Sequence, residues 1–277
     1  MELKDIAVLV PGRLNAHALE RIRAEFDCIE IASGDPSLVT PEIAGKVRGI
    51  AAMTVISADL MQALPKLEIV ANFGVGYDAV DAGHAGANGI MVTNTPDVLT
   101  EEVADTTIGL LLNTVRELSA SEAYMRAGHW SAKGNYRLTP LTMRGRAVGI
   151  YGMGRIGQAI ARRLEPFGVG IHYHNRRRAD GLAYTYHPTL VELARAVDTL
   201  IIVVPGGEAT RKAVNGNVLA ALGPQGVLIN IGRGSTVDED ALIAAMHSGT
   251  IAAAGLDVFE NEPHIRPEFF ELPNTVL

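Results

Sequence analysis

Short apolar runs alternate with segments of helical periodicity from one end of the chain to the other. This alternation is typical of parallel βαβ units, in which helices cover both faces of a sheet. A first series of predicted strands comprises Ile6 to Val10, Cys28 to Ala32, Gly49 to Met53, Glu68 to Phe73 and Ile90 to Asn94. A second series comprises Ala147 to Tyr151, Gly170 to Asn175, Thr199 to Pro205, Gly226 to Gly232, Ala252 to Phe259 and Asn274 to Leu277. The two series predict an α/β protein with two doubly wound parallel sheets.

The segment between the two series has the pattern of one long helix, from Thr100 to Ala127. Apolar and small residues recur there at steps of three and four, at Val103, Thr107, Leu110, Leu111, Thr114 and Leu118. Turn-forming residues, Asn94-Thr95-Pro96-Asp97, stand just before this segment. We therefore place a domain boundary near Pro96, with residues 1–96 in one domain and 97–277 in the other, and expect the helix to bridge them.

Composition and charge narrow the class of protein. Of the 277 residues, 48% are hydrophobic and 20% are charged, which is typical of a globular protein with a buried core. The formal net charge of -7 argues against a broad surface for nucleic acid or anionic lipid. The start, MELKDIAVLV, has no signal-peptide pattern, and no apolar run approaches a membrane span, so we expect a cytoplasmic protein. A single cysteine, Cys28, excludes an internal disulfide.

A glycine-rich turn follows the first strand of the second series. It reads Gly152-Met153-Gly154-Arg155-Ile156-Gly157 and runs into a segment with one apolar helical face. A strand, a glycine turn and a helix in this order form a dinucleotide site, because the glycines allow a tight turn, close approach of the pyrophosphate and close packing of helix on strand. Gly152, Gly154, Arg155, Ile156 and Gly157 are therefore candidate cofactor-binding residues at a helix N-terminus.

The residue that reads the cofactor's ribose is predicted at the end of the next strand. Asn175 lies 18 residues beyond Gly157 (175 − 157), near the ~20-residue spacing at which NAD sites place an acidic residue. Here an amide is followed by Arg176 and Arg177, which suit a 2′-phosphate, so the sequence predicts NADP, with NAD as the weaker alternative. The alternative interpretation is a solvated basic turn, and for Arg178 the two interpretations stay equally open.

Four motifs occur in order along the chain. They read Asn72-Phe73-Gly74-Val75-Gly76-Tyr77-Asp78, the glycine turn, Asn230-Ile231-Gly232-Arg233-Gly234-Ser235 and Asp257-Val258-Phe259-Glu260-Asn261-Glu262-Pro263. Together they resemble the D-isomer specific 2-hydroxyacid dehydrogenase family, over essentially the whole chain. Within it, Thr95 to Thr100 and the Asn-Arg-Arg loop resemble the glyoxylate/hydroxypyruvate and hydroxyphenylpyruvate reductase branch.

The resemblance implies an NADPH-dependent reductase that transfers a hydride to a small 2-keto acid and forms the D-2-hydroxy acid. It implies a Rossmann-type cofactor domain and a flavodoxin-like substrate domain. Arg233 would grip the substrate and stabilise charge that develops on its carbonyl oxygen. The backbone N–H groups of Val75 and Gly76 would bind the substrate carboxylate, although an ordinary tight turn explains this segment equally well from spacing alone.

The remaining candidates also follow from the resemblance. Glu262 would hydrogen-bond a catalytic histidine and raise its pKa, and its alternative interpretation is a solvated residue before a turn proline. Further cofactor contacts are expected at Val103, Val204, Pro205, Thr210, Ile231, Gly232 and Asp257. An apolar helix position such as Val103 is more often simply core, the alternative interpretation of Asp257 is a structural role at a strand end, and Thr210 is only a loose candidate. No metal site is predicted.

The sequence departs from the family at its acid-base histidine. The family places it in a Pro-His segment after a strand like Asn274 to Leu277, but none of the 8 histidines stands there. They are His17, His84, His129, His172, His174, His187, His247 and His264. We expect that the sequence is a truncated or incompletely represented form of a longer enzyme, whose C-terminal tail completes the first domain.

Two other functions remain open at this point. One is a nicotinamide-binding scaffold without turnover, since the resemblance extends to transcriptional corepressors of this fold. The other is NAD-dependent oxidation of a different 2-hydroxy acid. The resemblance also implies a homodimer, paired through the long helix and the Arg126 to Thr139 segment that contains Trp130.

Overall fold

A computed structural model describes residues 2–277 and divides into two compact units, one up to Leu99 and one from Thr100 onward. The predicted boundary at Pro96 lies close to this division. The whole of the helix that starts at Thr100 falls within the second unit. Each unit contains one parallel sheet covered by helices, as the alternating pattern predicts.

The first unit has a five-stranded parallel sheet in the order β2-β1-β3-β4-β5. Its strands are β1 Ala7–Pro11, β2 Asp27–Ile31, β3 Val47–Ala52, β4 Ile69–Asn72 and β5 Met91–Thr93. Its helices are α1 Ala16–Glu25, α2 Pro41–Lys46, α3 Ala58–Gln62 and α4 Ala82–Ala87. This is the strand order of flavodoxin-like folds, in which ligands bind beyond the carboxyl ends of the strands.

Burial and capping explain why the first unit folds in this way. Leu9, Ile50 and Val70, on the three central strands, are completely or almost completely buried between the helices. Parallel strands covered on both faces need such apolar runs. Ser57 begins α3 because its hydroxyl accepts a hydrogen bond from the Leu60 N–H at 3.2 Å, which satisfies one of the unpaired amides of the first helical turn.

The second unit has a seven-stranded parallel sheet in the order β12-β11-β10-β9-β6-β7-β8. Its strands are β6 Ala147–Tyr151, β7 Gly170–His174, β8 Thr185–Tyr186, β9 Thr199–Ile202, β10 Val227–Asn230, β11 Ala253–Leu256 and β12 Thr275–Val276. Its helices are α5 Thr100–Arg116, α6 Leu118–Arg126, α7 His129–Lys133, α8 Arg155–Leu164, α9 Leu190–Ala196, α10 Gly216–Leu222, α11 Glu239–His247 and α12 Glu268–Glu271.

The order of this sheet reverses between β6 and β9, which are neighbours although they are far apart in sequence. That is the topology of dinucleotide-binding domains, and the reversal creates a crevice beyond the carboxyl ends of the two strands. Two apolar clusters enclose the sheet. Leu200 and Ile202 of β9 contribute to one, whereas Ile201 contributes to the other. The glycine turn therefore projects from a strand that is fixed on both faces.

The predicted single helix from Thr100 to Ala127 is wrong, because two helices occupy this segment. Glu117 separates α5 from α6 and adopts a left-handed backbone conformation with φ of 52°. A non-glycine residue in this region needs compensating contacts. The Glu117 carboxylate accepts hydrogen bonds of 2.7 Å from the Tyr136 hydroxyl and from the Arg137 guanidinium. Hydrogen bonding to this carboxylate raises the pKa of the Tyr136 hydroxyl.

In the second sheet, a buried arginine joins the N-terminal ends of three neighbouring strands, β6, β9 and β10. Arg146 is 7% exposed, and its Nε lies 2.9 Å from an Asp198 carboxylate oxygen and 2.7 Å from the Thr199 hydroxyl. Its Nη2 donates to the backbone oxygens of Asp198 and Gln225. Burial lowers the pKa of Arg146, and the Asp198 carboxylate opposes that shift.

Candidate active site

The glycine turn holds α8 against β6 through two positions that exclude side chains. Gly152 ends β6 with φ of 109°, and a Cβ there would lie 2.9 Å from the carbonyl carbon of Val203. A Cβ on Gly157 would lie 2.2 Å from the backbone oxygen of Gly152. Any side chain at Gly157 would therefore push the helix away from the turn. These two glycines shape the turn itself.

Gly154 has a different function in the same turn, since a Cβ there would meet no atom within 4 Å. It is the N-cap of α8, and no side chain of residues 2–277 caps this helix. Since Gly154 has no side chain and a Cβ there would meet no atom, a ligand can approach the start of α8 closely. A helix N-terminus of this kind, approached over a glycine, fits the pyrophosphate of a dinucleotide.

Alanine substitutions separate these two roles. Gly157→Ala is expected to lower the melting temperature of the free protein by several degrees, because its methyl group overlaps the Gly152 carbonyl. Gly154→Ala is expected to leave the melting temperature of the free protein unchanged within about 1 °C but to weaken NADPH binding by about tenfold or more, because the methyl group fills the space over the helix terminus. Calorimetric melting and NADPH titration of both variants check this. Equal NADPH affinity in Gly154→Ala and the original protein would contradict the assignment.

Asn175 links the glycine turn to the end of β7. Its side-chain oxygen accepts a hydrogen bond of 2.7 Å from the Met153 N–H. The amide oxygen therefore points into the turn, and the amide NH2, which only donates, points away from that bond. Arg176, Arg177 and Arg178 follow as exposed residues. Burial raises the pKa of the Tyr151 hydroxyl and the positive charge of Arg176 opposes this, which places that arginine near the end of β6.

Three histidines support the strand that leads to Asn175. The Nδ1 atom of His172 lies 3.0 Å from Nε2 of His187, so the two rings share one hydrogen bond between β7 and the residue after β8. His174 donates from Nδ1 to the backbone oxygen of His187 at 2.9 Å. Burial lowers the pKa of His172, and the neighbouring His187 adds to that shift. These contacts give His172 and His174 structural roles in β7.

The loop after β9 contains three of the other predicted contacts. Val204 is buried and Pro205 is exposed. The Thr210 hydroxyl donates to the backbone oxygen of Pro205 at 2.7 Å, so it closes its own loop in this structure. A Cβ on Gly232 would lie 2.7 Å from the backbone oxygen of Val204, which shows how closely the ends of β9 and β10 approach. Ile231, beside it, is 7% exposed.

Arg233 lies in a turn directly after β10 and is partly exposed. Asn230, at the end of that strand, is 1% exposed and braces the turn at two points. Its Nδ2 donates to the Arg233 oxygen at 3.0 Å, and its Oδ1 accepts from the Gly232 N–H at 3.1 Å. The guanidinium Nη1 donates to the Gly232 oxygen at 2.8 Å, which orients the fork. Asn230 therefore fixes the backbone from which the Arg233 side chain extends.

The loop after β11 packs directly on the residue that follows Arg233. A Cβ on Gly234 would lie 1.8 Å from the Phe259 carbonyl carbon, so backbone contacts backbone there. Asp257 is exposed at the end of β11. Glu262 is also exposed, and its carboxylate accepts from the Phe259 N–H at 2.9 Å. The structure thus brings the segments of Arg233 and Glu262 together within the second unit.

Val103 lies on α5, outside these loops in sequence. It is partly buried against an apolar cluster of the second unit. Its backbone oxygen accepts a hydrogen bond of 2.6 Å from the Thr107 hydroxyl, one helical turn later. These are contacts of a core position, and a cofactor contact at Val103 remains a prediction.

In the first unit, the carbonyl groups of the turn after β4 accept hydrogen bonds from two asparagine side chains. Asn72 donates from Nδ2 to the Gly76 oxygen at 2.9 Å and to the Gly74 oxygen at 3.3 Å. Asn94 donates to the Val75 oxygen at 2.8 Å. Within residues 2–277 no acceptor is recorded for the N–H groups of Val75 and Gly76. Two neighbouring donors of this kind fit a carboxylate.

Sequence reasoning missed the side chains that hold these turns. Asn72 and Asn230 were read only as parts of motifs, yet each is buried and fixes the turn that follows it. The signal is common to both: an asparagine at the last position of a parallel strand, before a glycine-containing turn. Because asparagine readily bonds nearby backbone, this pattern predicts a braced turn.

The groups around the glycine turn fit a phosphorylated dinucleotide. They are the opening amides of α8, the amide NH2 of Asn175 and the guanidinium groups of Arg176 and Arg177, all donors or cations. Among residues 2–277, no group of three histidine, cysteine or carboxylate residues is arranged to hold a metal ion. In the same range, every helix is too short or too polar to cross a bilayer.

Comparison with known proteins shows which proteins this chain is similar to. Residues 108–277 match the family model described as D-isomer specific 2-hydroxyacid dehydrogenase, NAD binding domain. Glyoxylate/hydroxypyruvate reductase A HPR2 of Arabidopsis thaliana is 42% identical over 278 residues, which cover 99% of this chain and 88% of that protein. Hydroxyphenylpyruvate reductase of Plectranthus scutellarioides is 47% identical over 220 residues, with 79% of this chain and 70% of that protein covered.

A solved structure extends the similarity to three dimensions. It is an NADPH-dependent glyoxylate/hydroxypyruvate reductase from Sinorhizobium meliloti in complex with NADP and malonate. The two chains are 58% identical with a TM-score of 0.96, and the match covers 99% of this chain and 85% of that one. The predicted α/β fold with two parallel sheets is thereby confirmed. The chain belongs to the D-isomer specific 2-hydroxyacid dehydrogenase family, as its four motifs predict.

Proposed function

We propose that this protein reduces a small 2-keto acid of the glyoxylate or hydroxypyruvate type to the D-2-hydroxy acid, with NADPH as the hydride donor. The observation that carries the proposal is the orientation of Asn175. Its oxygen is engaged by the Met153 N–H, so it presents its NH2 group beside exposed Arg176 and Arg177. Donors and cations at this position favour a ribose phosphate, which an acidic residue would repel.

NADPH would supply the hydride when it is bound, and residues of this chain would hold it and orient the substrate. The opening amides of α8 and the glycine turn bind its pyrophosphate, while Asn175, Arg176 and Arg177 bind its 2′-phosphate. Val204, Pro205, Thr210, Ile231, Gly232, Asp257 and Val103 complete the proposed contacts with the rest of the cofactor. The similarity to the NADP complex from Sinorhizobium meliloti supports this assignment.

Arg233 is the proposed residue for substrate orientation and charge stabilisation. Its bond to the Gly232 oxygen fixes one edge of the guanidinium, and Asn230 fixes its backbone. A planar cation held in this way donates to a keto acid and stabilises negative charge on the carbonyl oxygen as hydride arrives. We assign binding of the substrate carboxylate to the N–H groups of Val75 and Gly76.

Glu262 is the proposed partner of the acid-base histidine. Its carboxylate already accepts the Phe259 N–H, which limits its side-chain freedom. A carboxylate beside an imidazole holds the ring in one tautomer and favours its protonated form. The protonated ring can then donate a proton to the alkoxide oxygen.

We also propose that the enzyme acts as a homodimer in the cytoplasm. Leu118, Met125, Trp130 and Leu138 are large apolar residues that are exposed on and near α6 and α7. Clustered exposed apolar side chains of this kind mark protein contacts. The single cysteine fits a reducing compartment.

Steady-state kinetics with glyoxylate, hydroxypyruvate and hydroxyphenylpyruvate test the function, with each keto acid assayed with NADPH and with NADH. We expect the complete protein to turn over at least one of them, with a higher kcat/KM with NADPH than with NADH. Tight NADPH binding without turnover of any 2-keto acid would favour a scaffold instead. A higher kcat/KM with NADH would overturn the cofactor assignment.

Asn175→Asp is expected to reverse the cofactor preference. One carboxylate oxygen can still accept the Met153 N–H, so the turn stays in place, whereas the other brings negative charge to the 2′-phosphate site. We expect kcat/KM with NADPH to fall by about tenfold to a hundredfold, with little change for NADH. Asn217→Asp, at an exposed position of α10, makes the same change in net charge and serves as the control. An unchanged ratio of NADPH to NADH efficiency would contradict the role of Asn175.

A further inference from the structure

A buried carboxylate that the proposed reaction does not use holds the loop of Glu262. Glu239 is the first residue of α11 and is only 5% exposed. Its Oε1 accepts a hydrogen bond of 2.9 Å from the Glu260 N–H. No cation among residues 2–277 is recorded in an ion pair with it. A carboxylate is rarely buried in this way unless its position matters.

The environment of Glu239 explains why the charge is tolerated. The positive end of the α11 dipole stabilises a carboxylate in the first helical turn. The Glu260 N–H adds a charge-assisted hydrogen bond, which is stronger than a neutral one. The helix end and the loop are thereby joined by a contact that spans 21 residues of sequence.

This contact helps to fix the position of Glu262 through the backbone of Phe259 and Glu260. Two successive amides of the loop are held by side chains: the Phe259 N–H by Glu262 and the Glu260 N–H by Glu239. The same stretch of backbone packs on Gly234, where no Cβ fits, and Gly234 directly follows Arg233. A shift of the Phe259 to Glu260 backbone therefore moves Glu262 and disturbs the turn of Arg233 together.

We propose that Glu239 is a positioning residue for keto acid reduction, which acts through the Asp257 to Glu262 loop and touches neither substrate nor cofactor. The proposal rests on the proposed function. Glu239 holds the loop at the distance from Arg233 that the reaction requires. Without its carboxylate, the Glu260 N–H lacks its acceptor and the loop moves to find another.

Three variants separate this role from general stability. Glu239→Ala removes the acceptor, whereas Glu239→Gln keeps an amide oxygen that can accept the same N–H but loses the charge and replaces the second oxygen with an NH2 group. Asp240→Asn is the matched control, because Asp240 is the next residue of the same helical turn and instead pairs with Arg266 at the surface. Any effect of negative charge at the start of α11 alone appears in this control as well.

Three readouts are compared well below the lowest melting temperature. Hydrogen exchange of peptides that span residues 257–263 reports on the loop directly and needs no turnover. Titrations of NADPH, and of oxamate in the presence of NADPH, report on binding, since oxamate has the shape and carboxylate of a small keto acid. Steady-state kinetics with glyoxylate give kcat and KM.

For Glu239→Ala we expect about tenfold faster exchange in the loop, about tenfold weaker oxamate binding and about tenfold lower kcat or more, because sub-ångström misplacement is enough for losses of this size. NADPH affinity should stay within about threefold. Glu239→Gln should restore all three readouts most of the way, and Asp240→Asn should match the original protein.

The following outcomes would overturn the inference. One is faster loop exchange in Glu239→Ala with unchanged kcat and oxamate affinity, which means a structural role only. Others are a Glu239→Gln as impaired as Glu239→Ala, or an Asp240→Asn impaired to the same degree. If the original protein binds oxamate but reduces no keto acid, the proposed function fails. In that case hydrogen exchange of the loop and the affinity for oxamate still test whether Glu239 positions the loop. If the original protein neither binds oxamate nor reduces any keto acid, both proposals fall.

Discussion

Replacement of Arg233 by methionine is expected to lower kcat/KM for glyoxylate by about two to three orders of magnitude, while NADPH affinity stays within about threefold. Methionine fills a similar volume but donates no hydrogen bond and carries no charge to the carbonyl oxygen. Asn230 still braces the turn through its contacts with the backbone of Arg233 and Gly232, so the loss should be chemical. Steady-state kinetics and NADPH titration measure the two effects.

Two further variants make this result interpretable. Arg233→Lys keeps the charge but loses the planar fork, so we expect it to recover part of the lost kcat/KM. Arg195→Met, at an exposed position of α9, removes a positive charge from the same unit and should change neither parameter. A kcat/KM within about threefold of the original in Arg233→Met would rule out the assigned role.

Arg146→Met is expected to destabilise the second unit by about 3 kcal/mol, because removal of the buried guanidinium takes the donor from several acceptors at once. The Asp198 carboxylate, the Thr199 hydroxyl and the Gln225 oxygen would lose their donor together. For a unit of this size, the melting temperature should fall by about 10 °C. Calorimetric melting of the intact protein measures the change.

Arg144→Met is the matched control for this prediction. Arg144 is exposed and lies two positions before Arg146, so the same substitution should change the melting temperature by less than about 2 °C. A loss of similar size in both variants would mean that Arg146 contributes through its charge alone and not through its buried contacts.

The sequence predicted the strands well where glycine or a change in polarity ends them. β6 was placed at Ala147–Tyr151 with both ends correct, since Gly152 cannot continue the strand with φ of 109°. Strands that run into loops were predicted too long. Thr199 to Pro205 contains β9, which ends at Ile202, because the apolar residues Val203 and Val204 continue past the last strand pairing.

Two features of the fold left no clear pattern in the sequence. The helical periodicity runs through Glu117 without interruption, and its left-handed conformation depends on Tyr136 and Arg137, which are distant in sequence. β8, Thr185–Tyr186, is a strand of two residues at the sheet edge, too short for alternation to register. In both cases tertiary contacts, and not local propensity, determine the structure.

In the candidate site, too, some features are visible in the sequence and others depend on tertiary contacts. Residues whose chemistry is visible from their type, such as Arg233 and the glycines of the turn, were named from the sequence. Asn175 was named for its donor group, but its bond to Met153, which orients that group, was not foreseeable. Glu239 resembles any acidic residue of a first helical turn, and only its burial and its bond to the Glu260 N–H single it out.

The contacts of Glu117 have a consequence for how this protein can vary. They join the end of α5 to residues 19 and 20 positions later, so the intervening chain, which contains α6 and α7, forms an excursion that is closed at its base. Insertions, deletions or a wholesale exchange between residues 118 and 135 would be absorbed inside that closed excursion. Relatives can therefore vary the length and sequence of the excursion without unfolding the second unit, provided that a residue able to hold its two ends together is kept at its base, and the apolar residues proposed for the dimer contact would change with it.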